Sequence, residues 1–175
     1  ATATGSDGSG RAIKLTNGGG VVFEFDTAQT EVIVGFAWRW VTFPNISVNI
    51  MSVTSPGTVS RRDVRLKLVG TSGTDIDYEV IRGAGAGVSL GTAGLTLDLN
   101  TWYYTEVRIL KDTDGTDGEV TVRHKDMADT GAPAAVITVT GVDTTESEGN
   151  DYDSVRVEHD GSFRDIDVDN IYIDL

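Results

Sequence analysis

The sequence contains no cysteine, so it can hold neither a disulfide framework nor a thiolate-ligated metal, and its fold must rest on packing and backbone pairing alone. Proline is nearly as scarce, with three in 175 residues, which leaves turn formation mainly to glycine, asparagine and aspartate. Basic side chains do not balance the acidic ones: 14 Lys and Arg against 27 Asp and Glu give a formal net charge of −13. A deficit of that size opposes approach to a phosphate backbone or an anionic bilayer, so neither nucleic acid nor membrane is an expected partner. No apolar run approaches the ~18–20 residues that span a bilayer. The opening ATATGSDGSG lacks the basic start and apolar stretch of a signal peptide, and the expectation is a soluble, unexported chain. The two histidines, His124 and His159, have no cysteine partner and no recognisable nucleophile elbow. They offer neither a metal cage nor a serine triad, and the surface is their expected place.

What the sequence does have is glycine, 21 in all, and many valines and threonines, which suit short strands joined by glycine turns. The length fits one domain. Residues 1–10 are small and polar and read as an N-terminal arm, with 11–175 as the folded unit. Beyond Arg11 no window holds a 3.6-residue period, while alternation with period 2 recurs throughout. In 63–68, Val64, Leu66 and Leu68 alternate with Asp63, Arg65 and Lys67, which predicts core on one side and water on the other. In 31–43, Val32, Val34, Phe36, Trp38 and Trp40 face one way, yet Ile33, Ala37 and Val41 make the opposite face apolar too. That pattern predicts a strand covered on both sides or one bending between sheets. Further strands are expected at 11–16, 20–25, 47–54, 76–82, 87–91, 101–110, 118–124, 135–140, 153–158 and 164–174. Near the C-terminus the apolar parity switches between Ile166, Val168 and Ile171, Ile173, which predicts a β-bulge at Asp169-Asn170. About a dozen strands exceed one open sheet and predict an all-β, two-sheet antiparallel sandwich of jelly-roll type.

The arm carries its own expectation. Side chains as small as those of Ala1, Thr2, Ala3, Thr4, Gly5 and Ser6 bury too little apolar surface to offset the ~1–2 kcal/mol of backbone entropy lost per ordered residue. Ordering the arm therefore calls for backbone hydrogen bonds or enclosure by partners, and addition to a sheet edge supplies both, so these residues are expected to act in assembly.

Five segments, taken in order, resemble a known family: GRAIKLTNGGGVVFEF, TEVIVGFAWRW, NTWYYTEVRIL, the hairpin DGEVTVRHK leading to TVTGVDTT, and DIDVDNIYIDL. Together they are similar to the concanavalin A-like lectin/glucanase sandwich and, within it, to the laminin-G-like domains of bacteriophage virion proteins. The most specific features are Thr101-Trp102-Tyr103-Tyr104 followed by Glu106, and the terminal Asp169-Asn170-Ile171-Tyr172-Ile173. The resemblance implies a jelly-roll fold and a non-enzymatic virion structural protein, a capsid decoration or tail surface protein docked through its arm and sheet edges. Its implied partners are the major capsid or tail protein of the same virion and further copies of itself, and its implied place is the virion surface after assembly in the host cytoplasm. The alternative is an adhesin that binds host glycans. No cofactor is implied.

Several residues are weighed as sites. Trp102 and Tyr104 share a strand face with Glu106 and Arg108, and either pack at the sandwich rim or stack on a sugar. Glycoside hydrolases of the family resemble one another in a Glu-x-Asp-x-Glu strand that sets two carboxyl groups ~5–5.5 Å apart. The nearest string here is Glu24-Phe25-Asp26 with Glu31, and Glu24 and Glu31 would lie roughly 23 Å apart if extended. No catalytic residue is therefore expected. The run from Lys111 to Glu119 alternates carboxylates around a glycine turn, but it fails the EF-hand spacing and reads as a hairpin turn or a weak calcium loop. Gly83-Ala84-Gly85-Ala86-Gly87 has no following Lys-Ser/Thr or helix and reads as a turn, and Glu146, Glu148, Asp151 and Asp153 read as a solvated loop.

Overall fold

The computed structural model describes residues 2–3, 12–16, 18–41, 47–55, 62–72, 75–83, 85–145, 151–160 and 165–175. Among them there is no helix, and the strands form two antiparallel sheets packed as a sandwich, as the period-2 pattern predicts. One sheet has seven strands in the spatial order β1 (Thr2–Ala3), β2 (Ala12–Thr16), β13 (Asp165–Asp174), β4 (Glu31–Trp40), β9 (Trp102–Leu110), β10 (Gly118–Asp126), β11 (Ala134–Val142). The other has six, ordered β3 (Gly20–Gln29), β12 (Tyr152–Asp160), β5 (Val48–Thr54), β6 (Val64–Ser72), β7 (Asp75–Arg82), β8 (Val88–Thr96). Of the arm, Thr2 and Ala3 pair with Ile13 and Ala12 at the edge of β2, and Ala1, Thr4, Gly5 and Ser6 lie outside the described residues.

Alternation decides which residues are core. The β4 row Val32, Val34, Phe36, Trp38 and Trp40 is fully buried, facing Met51, Val53, Leu66 and Tyr78 from the six-stranded sheet in one contiguous cluster. The expected bulge is present. Register between β13 and β4 shifts between Asp169 and Tyr172, with Asn170 at φ 49°, so Ile166, Val168, Ile171 and Ile173 all pack on the core. Gly83, Gly85 and Gly87 turn β7 into β8 with positive φ, and at Gly87 (φ +60°) an added Cβ would also lie 2.5 Å from the Arg82 carbonyl oxygen.

Three expectations need correction. The strand expected at 87–91 runs on to Thr96, because Gly91 packs closely against Val139 and Ile137 and Gly94 pairs with Asp77 in the ladder, so both lie inside β8. The polar side of 63–68 is not open to water at two of its positions. Asp63 is buried and accepts a hydrogen bond from Ser55 Oγ (2.7 Å), and Arg65 is buried beneath the β7–β8 turn, donating to the Gly85 carbonyl (2.9 Å). Neither histidine is an exposed surface residue. His159 is wholly buried and His124 half-buried, since each continues an inward row, Val155-Val157-His159 and Val120-Val122-His124.

His124 sits in a polar cluster that bridges the sheets. Its ring stacks on Tyr103 (5.1 Å, 26°) and its Nδ1 lies 3.0 Å from the hydroxyl of Tyr78, which comes from the opposite sheet. That hydroxyl is 2.6 Å from Thr105 Oγ1, which also accepts from Trp38 Nε1 (2.8 Å). Burial holds the Tyr78 phenol well above its ordinary range and pulls the His124 imidazole down to about 4, so both are neutral at pH 7.

Candidate functional site

In antiparallel sheets, residues paired directly across strands project from the same face. The outer face of the seven-stranded sheet can therefore be read in ranks across β13, β4, β9 and β10. One rank is Asp167, Arg39, Trp102, and the next is Asp169, Ala37, Tyr104, Lys125. A third is Tyr172, Gly35, Glu106, Arg123. The central strand β4 contributes only Gly35 and Ala37 to the middle ranks, so the sheet floor is low there and large side chains from its neighbours lean over it.

The two candidate stacking residues are both on this face, and neither stands alone. Arg39 holds its guanidinium 5.0 Å from the Trp102 ring centroid and is itself anchored by Asp167, with Nε to Oδ2 at 2.8 Å. Two ranks away, the hydroxyl of Tyr172 donates to Glu106 Oε2 (2.5 Å), while Tyr104 Oη lies 2.9 Å from Tyr172 Oη and 3.3 Å from the same carboxylate oxygen. Arg123 Nη1 meets the other oxygen of Glu106 at 2.7 Å. Burial pushes the Glu106 carboxyl up, but the hydrogen bonds from Tyr172 and Arg123 outweigh it and hold Glu106 below its usual range. Burial, together with the Glu106 carboxylate, raises both tyrosines; the Tyr172 hydroxyl adds to the rise at Tyr104 while the Tyr104 hydroxyl opposes it at Tyr172, and both stay protonated as donors. The face thus presents three aromatic side chains among oriented donors and acceptors, an arrangement able to hold a ligand with both apolar C–H surface and hydroxyl groups.

Tyr172, Arg39, Arg123 and Asp167 are not among the site residues to which the sequence points. A signal existed for Tyr172, because the bulge that turns Ile171 and Ile173 inward turns Tyr172 outward. Gly35 is essential to the arrangement. A Cβ there would fall 2.5 Å from Tyr172 Cζ and 2.6 Å from Tyr104 Oη, so Gly35→Ala is expected to lift Tyr172 away from Glu106 and to cost about 1–2 kcal/mol in chemical denaturation. Unchanged stability would show that the rings yield freely.

The remaining candidates disperse. Glu24 and Asp26 are exposed on β3 of one sheet, while Glu31 begins β4 in the other and binds Arg108 Nε at 2.5 Å. They do not form a pair. Between β9 and β10 the carboxylates are taken up by nearby backbone: Asp112 accepts from Gly115 N (2.7 Å) and from Thr144 N beyond β11 (2.9 Å), and Asp114 from Thr116 N (2.9 Å). Asp117 accepts from Thr113 N and Oγ1 (2.5 and 2.6 Å), the pattern of a hydrogen-bonded turn. Asp151 binds Lys111 (2.8 Å), and Glu146 and Glu148 lie outside the described residues.

No family model matches this chain, and no curated protein does. Solved structures do. A family 7 alginate lyase A1-II' in complex with substrate is similar over 98% of this chain and 79% of its own, with TM-score 0.59 and 13% identity. The CBM2 module of the evolved Dit of Lactobacillus casei BL23 phage J-1 is similar over 88% of this chain and 66% of its own, with TM-score 0.54 and 13% identity. The carbohydrate-binding module CBM66 from Bacillus subtilis is similar over 91% of this chain and 84% of its own, with TM-score 0.55 and 8% identity. The exclusion of enzymes drawn from the missing carboxylate pair is corrected by the first of these. The same sandwich carries lyases, so the lack of a glycosidase pair does not make a chain of this fold non-enzymatic. At these identities the likeness is one of fold, the jelly-roll sandwich.

Proposed function

We propose that the outer face of the seven-stranded sheet is a carbohydrate-recognition surface. The observation that supports it is the concentration, in adjacent cross-strand ranks, of Trp102, Tyr104 and Tyr172 with Arg39, Glu106 and Arg123 held in fixed hydrogen bonds. Ring faces suit the C–H face of a sugar, and ordered charged groups suit its hydroxyls at little cost in side-chain entropy. A setting on a phage virion belongs to the same proposal. It is supported by the laminin-G-like resemblance of the sequence and by the phage Dit module among the structural neighbours.

A glycan array followed by titration calorimetry tests this reading. Saturable binding is expected, and Trp102→Ala or Tyr104→Ala should weaken it about tenfold or more, because truncating a central aromatic anchor costs at least ~1–2 kcal/mol. Binding that survives loss of both rings would move the site elsewhere, and an array without hits would remove the proposal.

A further inference from the structure

A hydroxyl ligand and a carboxylate ligand make different demands on a protein surface. A hydroxyl both donates and accepts, whereas an ionised carboxylate only accepts and carries a full charge that must be offset. The outer face of the seven-stranded sheet meets the first demand and not the second. Its cations are already matched. Arg39 meets Asp167 (2.8 Å), Arg123 meets Glu106 (2.7 Å), and Arg108 is held between Glu31 (2.5 Å) and Glu119 (2.7 Å). Lys125 is turned to the carbonyl of Gly131 (3.0 Å), and Lys14 stands opposite Asp167 in the register of β2 and β13.

Further negative charge surrounds the exposed ring. Asp169 and Asp174 share β13 with Tyr172 and lie on the same face, one cross-strand rank to either side of it. The chain's net charge of −13 reinforces that local field. The hydroxyls point to the same chemistry. That of Tyr172 gives its proton to Glu106, and that of Tyr104 lies within reach of Glu106 and of the Tyr172 oxygen. With those protons engaged, the pair and Glu106 offer a ligand oxygen lone pairs, which suit an O–H donor and repel a carboxylate. Donors remain as well, because Arg39 engages Asp167 through Nε and Arg123 engages Glu106 through Nη1, and each guanidinium has N–H groups beyond these.

We propose that the ligand of this face is an uncharged glycan, held through its hydroxyls and ring C–H groups beside Tyr172, and that Glu106, Asp169 and Asp174 exclude uronates. The inference deepens the carbohydrate reading and rests on it. Tyr172, 41% exposed, is within reach of a sugar ring laid across β13 and β9. Replacing a hydroxymethyl group of that sugar by a carboxylate removes a donor that the lone pairs could use and sets like charges together. Discrimination then comes from a repulsive element as much as from the attractive ones.

A glycan array that pairs neutral oligosaccharides with uronates of the same stereochemistry tests it, followed by titration calorimetry on the whole 175-residue chain. Galactose with galacturonate oligomers and glucose with glucuronate oligomers are such pairs. At ~0.1 M salt the neutral member is expected to bind about tenfold or more tightly than its uronate. Its affinity should change by less than about twofold between ~0.1 and ~1 M salt, since no ion pair forms on binding. Asp169→Asn with Asp174→Asn should narrow the neutral-to-uronate ratio about threefold or more while circular dichroism is unchanged. A ratio that does not move in the double variant would overturn the role given to the two aspartates. A uronate bound as tightly as its neutral counterpart, at a site abolished by Trp102→Ala, would overturn the inference and leave the carbohydrate reading standing. An array without hits of either kind, or binding indifferent to both Trp102→Ala and Tyr104→Ala, would remove the two together.

Discussion

Trp38→Ala is expected to lower unfolding free energy by about 3–5 kcal/mol, the range for emptying an aromatic from a packed core. For a domain of this size, each kcal/mol moves the melting temperature by about 2–4 °C, so the shift should be about 6–20 °C. The reason lies in what Trp38 does at once. It is fully buried in β4, between β13 and β9, and it packs against Trp40 (6.2 Å) and Tyr103 (5.6 Å). Its Nε1–H also anchors the Thr105 hydroxyl, which in turn meets Tyr78 from the other sheet. Alanine would leave a cavity and remove a donor from a buried polar cluster. Trp38→Phe separates the two, since it keeps most of the apolar volume and loses the donor, and about 1–2 kcal/mol is expected for that variant. Urea unfolding of both variants checks the partition. A cost below ~1 kcal/mol for the alanine variant would contradict the tight packing described for this core.

The second large effect concerns pH. Burial pulls the His124 imidazole from its ordinary 6.5 down to about 4, with Asp126 opposing the shift more weakly. The unfolded chain therefore takes up the proton first as pH falls. The stability linked to neutral His124 is full above pH 6.5, falls between 6.5 and about 4, and is gone below that. At 1.36 kcal/mol per pH unit, the total is about 3 kcal/mol. The groups around the ring, Tyr78, Thr105, Trp38 and Tyr103, are neutral and cannot accommodate an imidazolium by pairing with it. Glu106, held below its usual range, contributes stability that is lost only as pH falls through its lower folded value, so a comparison of variants is needed to isolate the histidine. His124→Gln should flatten the slope between pH 6.5 and 4.5 and leave the more acidic limb unchanged. An identical slope in the variant would show that His124 is not the group responsible.

Much of this architecture was legible in the residues. Twelve strands could be placed by period-2 alternation because each strand has one face on a core and one turned away, and the sequence records that difference locally. The bulge at Asp169-Asn170 was legible for the same reason, as a parity switch. The same rule applied to Val120-Val122-His124 and Val155-Val157-His159 would have placed both histidines inward, and reading them as polar surface residues set chemistry above pattern. The full length of β8 is not legible in its residues, because Gly91 and Gly94 weaken the alternation that marks a strand, and its second half is held by pairing with β7.

The candidate site was only half legible. Trp102, Tyr104 and Glu106 could be assigned to one face of one strand, because alternation within a strand is local information. That Tyr172 and Arg123 close on Glu106, and that Arg39 covers Trp102 while gripping Asp167, depends on β13, β4, β9 and β10 being neighbours in that order. By itself the sequence determined the strands, their faces and an all-β sandwich. Only the tertiary structure decided which faces meet, because strand order is set by pairing between segments far apart in the chain, 128 residues in the Arg39–Asp167 contact and more in the Ile13–Val168 pair of β2 and β13, and no local period encodes it.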